Sequence, residues 1–398
     1  MKKNKITFSR GLYNLNKDPN FNYQLNRVVM WNEGDIEDIK KVAGKIHNSE
    51  TWKKELIKLG DTAISEDRIK EAIAYYRMSE FFMYDGDSDK KKYYMKASKL
   101  FYDYYKEYFE DGTVKKYEVP YEEVELPVMY TKAVGEKKDT IILHGGNDSY
   151  FEELFFAMLY LAEHGFDVYL FEGPGQGGVM RVQGKPFTYQ WEKPVSAILD
   201  YLKLCDVTIM GASLGGMLAP RAAAFEKRIK RVVAWSIFPN FLHVIMAMAN
   251  RSQKSFLHIC MKLKAKRIIN FAFKIAMSKD EMVKWGAEHG MYAYEAKTPY
   301  DYIMKLNKFQ MIDVGEKLTQ DVLVIGANKD HFIDYKLFKE EMDALTNVHS
   351  LTFRLFTEKE DAANHCNMGN TKLLLDTVIN WIEMMNREEE SSTKSWKI

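Results

Sequence analysis

A chain of 398 residues, 46% hydrophobic and 28% charged, is long enough for one large domain with insertions or for two, and its composition is that of an ordinary globular protein. With 57 basic against 56 acidic residues and a net charge of +1, it has no global attraction to nucleic acid and no basis for stable membrane association. Three scattered cysteines (Cys205, Cys260 and Cys366) lack metal-ligand spacing and predict a reduced, cytoplasmic chain without disulfides.

The basic opening, MKKNKITFSRGLYNLNKDPNF, has no apolar segment behind it of the kind a secretory signal requires. No run of about 18 apolar residues suggests a membrane span. Residues 1–112 read as a helical N-terminal cap segment. In SEDRIKEAIAYYRMSEFF, Ser65 is placed to cap a helix whose Ile69, Ala72, Ile73 and Tyr76 fall on one face. DGDSDK (85–90) reads as a turn into the helix KKYYMKASKLFYDYYKEYF, and no second copy of this pair recurs at a fixed period.

The pattern changes near Asp111 and Gly112. TVKKYEVPY and EEVELPVMYTKA read as an antiparallel pair of strands. Strand, turn and helix then alternate through KKDTIILHGG, SYFEELFFAMLYLAEHG, FDVYLFEGPGQGG, QWEKPVSAILDYLKL, CDVTIMGAS, LGGMLAPRAAAFEKR and IKRVVAWSIF. Such alternation predicts a parallel sheet covered on both faces, with residues 113–238 as its first part. Residues 239–318 read as a helical lid insertion. The sheet resumes over 319–386, in QDVLVIGANKD, DYKLFKEEMDAL, VHSLTFRLFT and TKLLLDTVINWIEMM. A polar tail, 387–398, is expected to be disordered.

Gly211-Ala212-Ser213-Leu214-Gly215 fits G-x-S-x-G at a strand-to-helix junction, where a tight turn exposes the serine as a nucleophile and leaves room only for small neighbours. A serine hydroxyl needs a base, and the base an orienting acid, in the chain order serine, acid, histidine. Asp330 closes the next sheet strand after the insertion, and His365 follows the last strand in TEKEDAANHCNMGN. Among the nine histidines only His365 has both the order and the loop; His331, beside Asp330, is the nearest competitor and is assigned to the substrate pocket. Glu358, Glu360 and Asp361 are the substitute acids, and Cys366 is read as a small loop hydrophobe.

Two backbone N–H groups must hold the oxyanion. Leu214, after the nucleophile, supplies one, and the loop His144-Gly145-Gly146-Asn147 supplies the other, with Gly146 first and Asn147 second in line. His144, Asn147 and Glu172 are placed with His331 among the substrate-binding residues, His144 and Glu172 also as shapers of the loops. Ser149 through Glu152 has the pattern of a capping box, which accounts for Ser149 without chemistry. Neither the P-loop nor the dinucleotide glycine pattern is present in the chain, and no metal site is expected.

Taken together, HGGNDS (144–149), FEGPGQGG (171–178), WEKP (191–194), GASLGG (211–216), RAAAFE (221–226) and NHC (364–366) resemble the α/β-hydrolases. The nearer likeness is to the group with a helical N-terminal segment that includes dihydroxypseudooxynicotine hydrolase and fungal polyketide-shortening hydrolases. It runs from about residue 20 to 385. The resemblance implies a mostly parallel eight-stranded core, a triad at Ser213, Asp330 and His365, no cofactor, and hydrolysis of an ester or a ketone-type C–C bond. Dimers occur in that group, so a homodimer is among the expected states. One departure is visible: C–C-cleaving relatives place a carboxylate soon after the strand that follows the nucleophile helix, and AWSIFPNFLHVIMAMAN has none.

The lid carries eight Lys or Arg and no Asp or Glu between Phe241 and Lys279, interleaved with Met246, Met248, Phe256, Met261, Phe271, Phe273 and Met277. An adaptable apolar cover over the serine is expected. The cations are a solvated outer face or a lure for an anionic, hydrophobic substrate, with transient membrane contact as a weaker third reading. The chemistry expected is acyl transfer from a small-molecule substrate to water; the competing readings are a binding or sensor protein of the same shape and an acyltransferase.

Overall fold

The computed structural model describes residues 6–84, 87–246 and 249–395. Eight strands form one sheet in the order β1-β2-β4-β3-β5-β6-β7-β8. They are β1 (Val114–Tyr121), β2 (Val124–Thr131), β3 (Asp139–His144), β4 (Phe166–Phe171), β5 (Val207–Ala212), β6 (Ile229–Trp235), β7 (Asp321–Ala327) and β8 (Ser350–Phe356). The hairpin β1–β2 joins β4 antiparallel, and every later pairing is parallel. The complete burial of the mostly apolar strands β5 and β7 follows from helices on both faces of the sheet.

One face packs against helices Glu192–Leu202 and Gly215–Phe225, the other against Phe155–Glu163 and the long helix Thr371–Ser395. A separate apolar cluster binds the N-terminal helices through Phe21, Trp52, Tyr75, Tyr76 and Phe82. The chain leaves β3 first toward β4 and then, from β5 on, toward β8. The loops after β3 and β5 therefore diverge at one point and open a crevice at the carboxyl ends of the strands.

Two local expectations, the Ser65 cap and the disordered tail, are corrected, and the turn at 85–90 is met in its described part. Ser65 ends the helix Ser49–Ser65 and donates to the carbonyl of Thr62; the next helix starts at Ile69, with Arg68 at the cap position and no side-chain cap. Asp87, in the expected turn, caps the helix Ser88–Tyr104, while Asp85 and Gly86 lie outside the described residues. The tail expected to be disordered is helical as far as Ser395, because Thr371–Ser395 continues its own backbone bonding past the apolar face that anchors it.

The insertion between β6 and β7, read from sequence as a lid, is helical among its described residues, with Phe241–Ile245, Arg251–Lys262, Lys266–Lys279, Glu281–Ala293 and Pro299–Leu306. Trp285 of the fourth helix stacks on Phe81 of the N-terminal segment at 5.3 Å and donates its indole N–H to the Phe81 carbonyl at 3.2 Å. The two helical segments thus meet over the crevice.

Candidate active site

Ser213 sits at φ +59°, in the left-handed region a serine enters only when its surroundings hold it there. The neighbouring glycines explain how. A Cβ on Gly211 would lie 2.3 Å from the Gly215 carbonyl oxygen, and one on Gly216 would lie 2.3 Å from that of Ser236. Strand and helix close so tightly on the turn that only glycine fits, and the serine is left at its apex.

His365 Nε2 is 2.9 Å from Ser213 Oγ, and its Nδ1 is 2.7 Å from Asp330 Oδ2. The three residues come from the loops after β5, β7 and β8, all at the carboxyl ends of parallel strands. Left-handed conformations at Cys366 (φ +51°) and Asn367 (φ +55°) curl the last loop so that the imidazole turns inward. The Tyr23 hydroxyl donates to the His365 carbonyl at 3.1 Å. Burial opposes a charge on His365, but Asp330 and the neighbouring Cys366 outweigh it and hold the ring's pKa well above its ordinary 6.5.

The loop after β3 lies against the elbow. A Cβ on Gly146 would fall 2.7 Å from Ser213 Cβ and 2.8 Å from the Leu214 nitrogen. Gly146 is therefore where the loop touches Ser213, yet its N–H is already donated, at 2.8 Å, to Ser149 Oγ. This corrects two expectations. Ser149 does not cap the following turn (Phe151–Leu154 has no side-chain cap); it holds the loop. Gly146, first in line as an oxyanion donor, has its N–H engaged by Ser149 Oγ. Gln176, from the FEGPGQGG turn, braces the same loop by donating to the carbonyls of Gly145 at 2.8 Å and Gly146 at 3.0 Å.

A cavity of about 540 Å³ opens onto Ser213, Leu214 and His365. Asn147 and His331 line it, and Asn147 Oδ1 accepts the Tyr294 hydroxyl at 2.8 Å. His331 packs against Phe332 and Tyr23, and burial together with the His365 charge lowers its pKa to about 4. His144 and Glu172 are not in the wall, a correction to their placement as substrate contacts. His144 is buried behind the elbow, donating from Nδ1 to the Gly145 carbonyl at 2.9 Å, with its pKa pushed by burial to about 4. Glu172 accepts the N–H groups of Phe151 at 3.1 Å and Gly178 at 2.8 Å. Burial and the nearby Glu152 raise its pKa to about 8, so it ties two loops together from beneath the site.

Several wall residues carry no sequence motif. Asp18 caps the helix Pro19–Met30, fixing its start, and the helix presents Tyr23 and Arg27, one turn apart, to the cavity. Arg27 is buried in an ion pair with Glu153 at 2.6 Å. His289, on the lid helix Glu281–Ala293, is 5% exposed, stacks on Trp285 at 5.3 Å, and makes no well-formed hydrogen bond from either ring nitrogen. Burial first, then the charges of Lys90 and Arg181, lower its pKa to about 3. Spacing gave a faint signal for it, since Met282, Trp285 and His289 share a helix face.

Of the lid residues expected over the serine, Met246 and Phe273 line the cavity, whereas Phe256 and Phe271 face solvent and Met248 lies outside the described residues. The eight lid cations are all exposed. Within the described residues, no group of three or more His, Cys, Asp or Glu is arranged to hold a metal ion, and no helix is long and apolar enough to cross a membrane.

A parallel sheet with a strained serine after β5 and a histidine after β8 defines an α/β-hydrolase fold, and residues 141–368 match the α/β-hydrolase fold family. The chain belongs to that family. A protein named hydrolase acrC from Aspergillus aculeatus is 26% identical over 332 residues, covering 75% of this chain and 76% of the relative. A 20-hydroxy-prefusarin hydrolase, FUS2, from Gibberella moniliformis is 27% identical over 261 residues, covering 60% of this chain and 61% of that one. Among solved structures, AbyA5 aligns with a TM-score of 0.65 at 14% identity, over 91% of this chain and 94% of its own. The 2,6-dihydroxy-pseudo-oxynicotine hydrolase aligns at 0.59 and 17%, over 89% and 94%. The helical N-terminal segment falls within the shared fold, and the chain groups with these hydrolases.

Proposed function

We propose that the protein is a serine hydrolase that cleaves an ester, or a C–C bond next to an activated ketone, in a neutral hydrophobic small molecule. The observation that carries this reading is the short path from Asp330 through His365 to Ser213, 2.7 Å and then 2.9 Å. Both spacings are within the reach that proton transfer requires. In the proposed cycle His365 takes the Ser213 proton as Oγ attacks the carbonyl. The N–H groups of Leu214 and Asn147 hold the oxyanion, and His365 then protonates the leaving group. Water, deprotonated by the same ring, releases the acid. For a C–C substrate the leaving group is a stabilised carbanion, protonated in the same way.

The wall favours an uncharged substrate. Among the described lining residues, apart from the His365 ring itself, the one cation is Arg27, which is matched by Glu153, and Asp148 adds a further acid. Among the described residues, the wall's polar atoms without a well-formed hydrogen bond belong to two neutral imidazoles, both nitrogens of His289, whose ring interacts with the Asn147 backbone, and Nε2 of His331. Such rings recognise a hydroxyl or carbonyl rather than a carboxylate. The volume suits a molecule of drug-like size.

A fluorophosphonate probe tests the chemistry: covalent labelling that disappears in Ser213→Ala is the expected result, and folded protein that stays unlabelled overturns it. A panel of neutral and carboxylated aryl esters, with matched β-diketones, then reads the bond and the charge preference.

A further inference from the structure

The lid hairpin formed by Arg251–Lys262 and Lys266–Lys279 turns a second apolar face to solvent. Phe256, Ile259 and Leu263 are 50%, 55% and 74% exposed, and they recur at the three- and four-residue spacing of one helix face. Ile268, Phe271 and Ile275 repeat that spacing on the next helix at 51%, 65% and 40%. The hairpin's inward positions are already apolar: Cys260 and Ile269 are buried, and Phe273 lines the cavity. A helix pair needs only one apolar face to dock on its own protein, so the outer face requires another explanation.

Its charge supplies one. From Phe241 to Lys279 the chain holds eight Lys or Arg and no acid, although the whole chain carries only +1, so the remainder of the protein is net acidic. We propose that this face rests reversibly on an anionic lipid surface, with the six apolar side chains at the boundary of headgroups and acyl chains and the surrounding cations among the lipid phosphates. A second copy of the chain fits less well, because a two-fold contact would set the basic hairpin against itself. Phe273 and the exposed Phe271 lie on the same helix, so the membrane face and the cavity wall are two sides of one element. A hydrophobic substrate dissolved in the bilayer would meet the protein at its lid.

The experiment is flotation of the full chain with phosphatidylcholine vesicles, with and without about one-third phosphatidylglycerol, at low and high salt. Binding to the anionic vesicles alone, weakened by salt, is expected. The double variant Ile268→Ser with Phe271→Ser should lower the bound fraction at least tenfold while fluorophosphonate labelling of Ser213 and far-UV circular dichroism stay unchanged. Lys262→Ala and Arg267→Ala should each weaken binding about fivefold. Failure to float with anionic vesicles overturns the proposal. So does a vesicle-indifferent dimer in solution that the serine double variant dissociates, since the face would then be a self-interface. Both outcomes are independent of whether Ser213 is the nucleophile.

Discussion

Asp330 Oδ2 faces His365 Nδ1 at 2.7 Å, with side chains only 6% and 9% exposed. The other carboxylate oxygen accepts the N–H groups of Phe332 at 2.9 Å and Ile333 at 3.0 Å, so the acid cannot rotate away from the ring. The negative charge favours imidazolium and holds the His365 pKa above 6.5 despite burial. A base must be neutral to accept a proton, so kcat/KM should rise with pH through a midpoint above 6.5. Asp330→Asn keeps the shape and removes the charge. Its midpoint should move down while kcat falls by about 10⁴. A pH–rate profile on a fluorogenic ester reads both, and an unmoved midpoint in the variant counts against Asp330 as the partner.

Ser149 shows how the loop beside the nucleophile is held. Removing its hydroxyl leaves the Gly146 N–H without its 2.8 Å acceptor. Ser149→Ala should cost about 1 kcal/mol of stability. It should also slow kcat about tenfold or more, because the oxyanion donors are no longer fixed in place. Denaturant melts and single-turnover rates measure the two effects. Faster turnover would mean that the freed Gly146 N–H stabilises the oxyanion after all.

The parts of the site that were legible in sequence are those where backbone geometry forces a residue type. Gly211, Gly215 and Gly216 are visible because nothing larger fits the elbow. Asp330 and His365 are visible because strand order places the loops after β7 and β8 beside the elbow, where the two side chains meet at 2.7 Å. Arg27, Tyr23 and His289 were not legible, since each reaches the cavity from a helical segment whose docking depends on packing with no local signature. Phe81 and Trp285 join those segments across 204 residues of chain. Ser149 misled for a different reason. The residues S-x-x-E suit a helix cap as well as a loop brace, and only the tertiary position of Gly146 decides between them.

His289 provides a test of substrate class. With a pKa near 3 it stays neutral throughout the working range and can both donate and accept. Replacing it by Leu should raise KM for an oxygen-bearing neutral substrate about fivefold to tenfold, the worth of one hydrogen bond. The midpoint of the pH profile should not move. His289→Gln, which keeps a donor and an acceptor, should recover most of the loss. A midpoint that shifts in His289→Gln would show that this ring titrates with the reaction, contrary to its assignment as a neutral contact.

Arg27 and Glu153 put two full charges in the cavity wall at 2.6 Å, with side chains 5% and 2% exposed. Asn32 donates to Glu153 Oε1 at 2.5 Å, so the carboxylate keeps one partner if the guanidinium is lost. A single hydrogen bond does not offset a buried charge, and Arg27→Met should therefore destabilise the protein by about 3–5 kcal/mol. Adding Glu153→Gln removes the stranded charge and should restore most of that loss, because the pair gains in attraction little more than its desolvation costs. The two variants also separate stability from selectivity. The double variant removes both charges and should keep its preference for neutral esters. Arg27→Met alone makes the wall more acidic than the parent's, with Glu153 unmatched beside Asp148, and should reject carboxylated esters more strongly than the parent. Urea melts and the ratio of kcat/KM for a neutral and a carboxylated ester read the two effects apart.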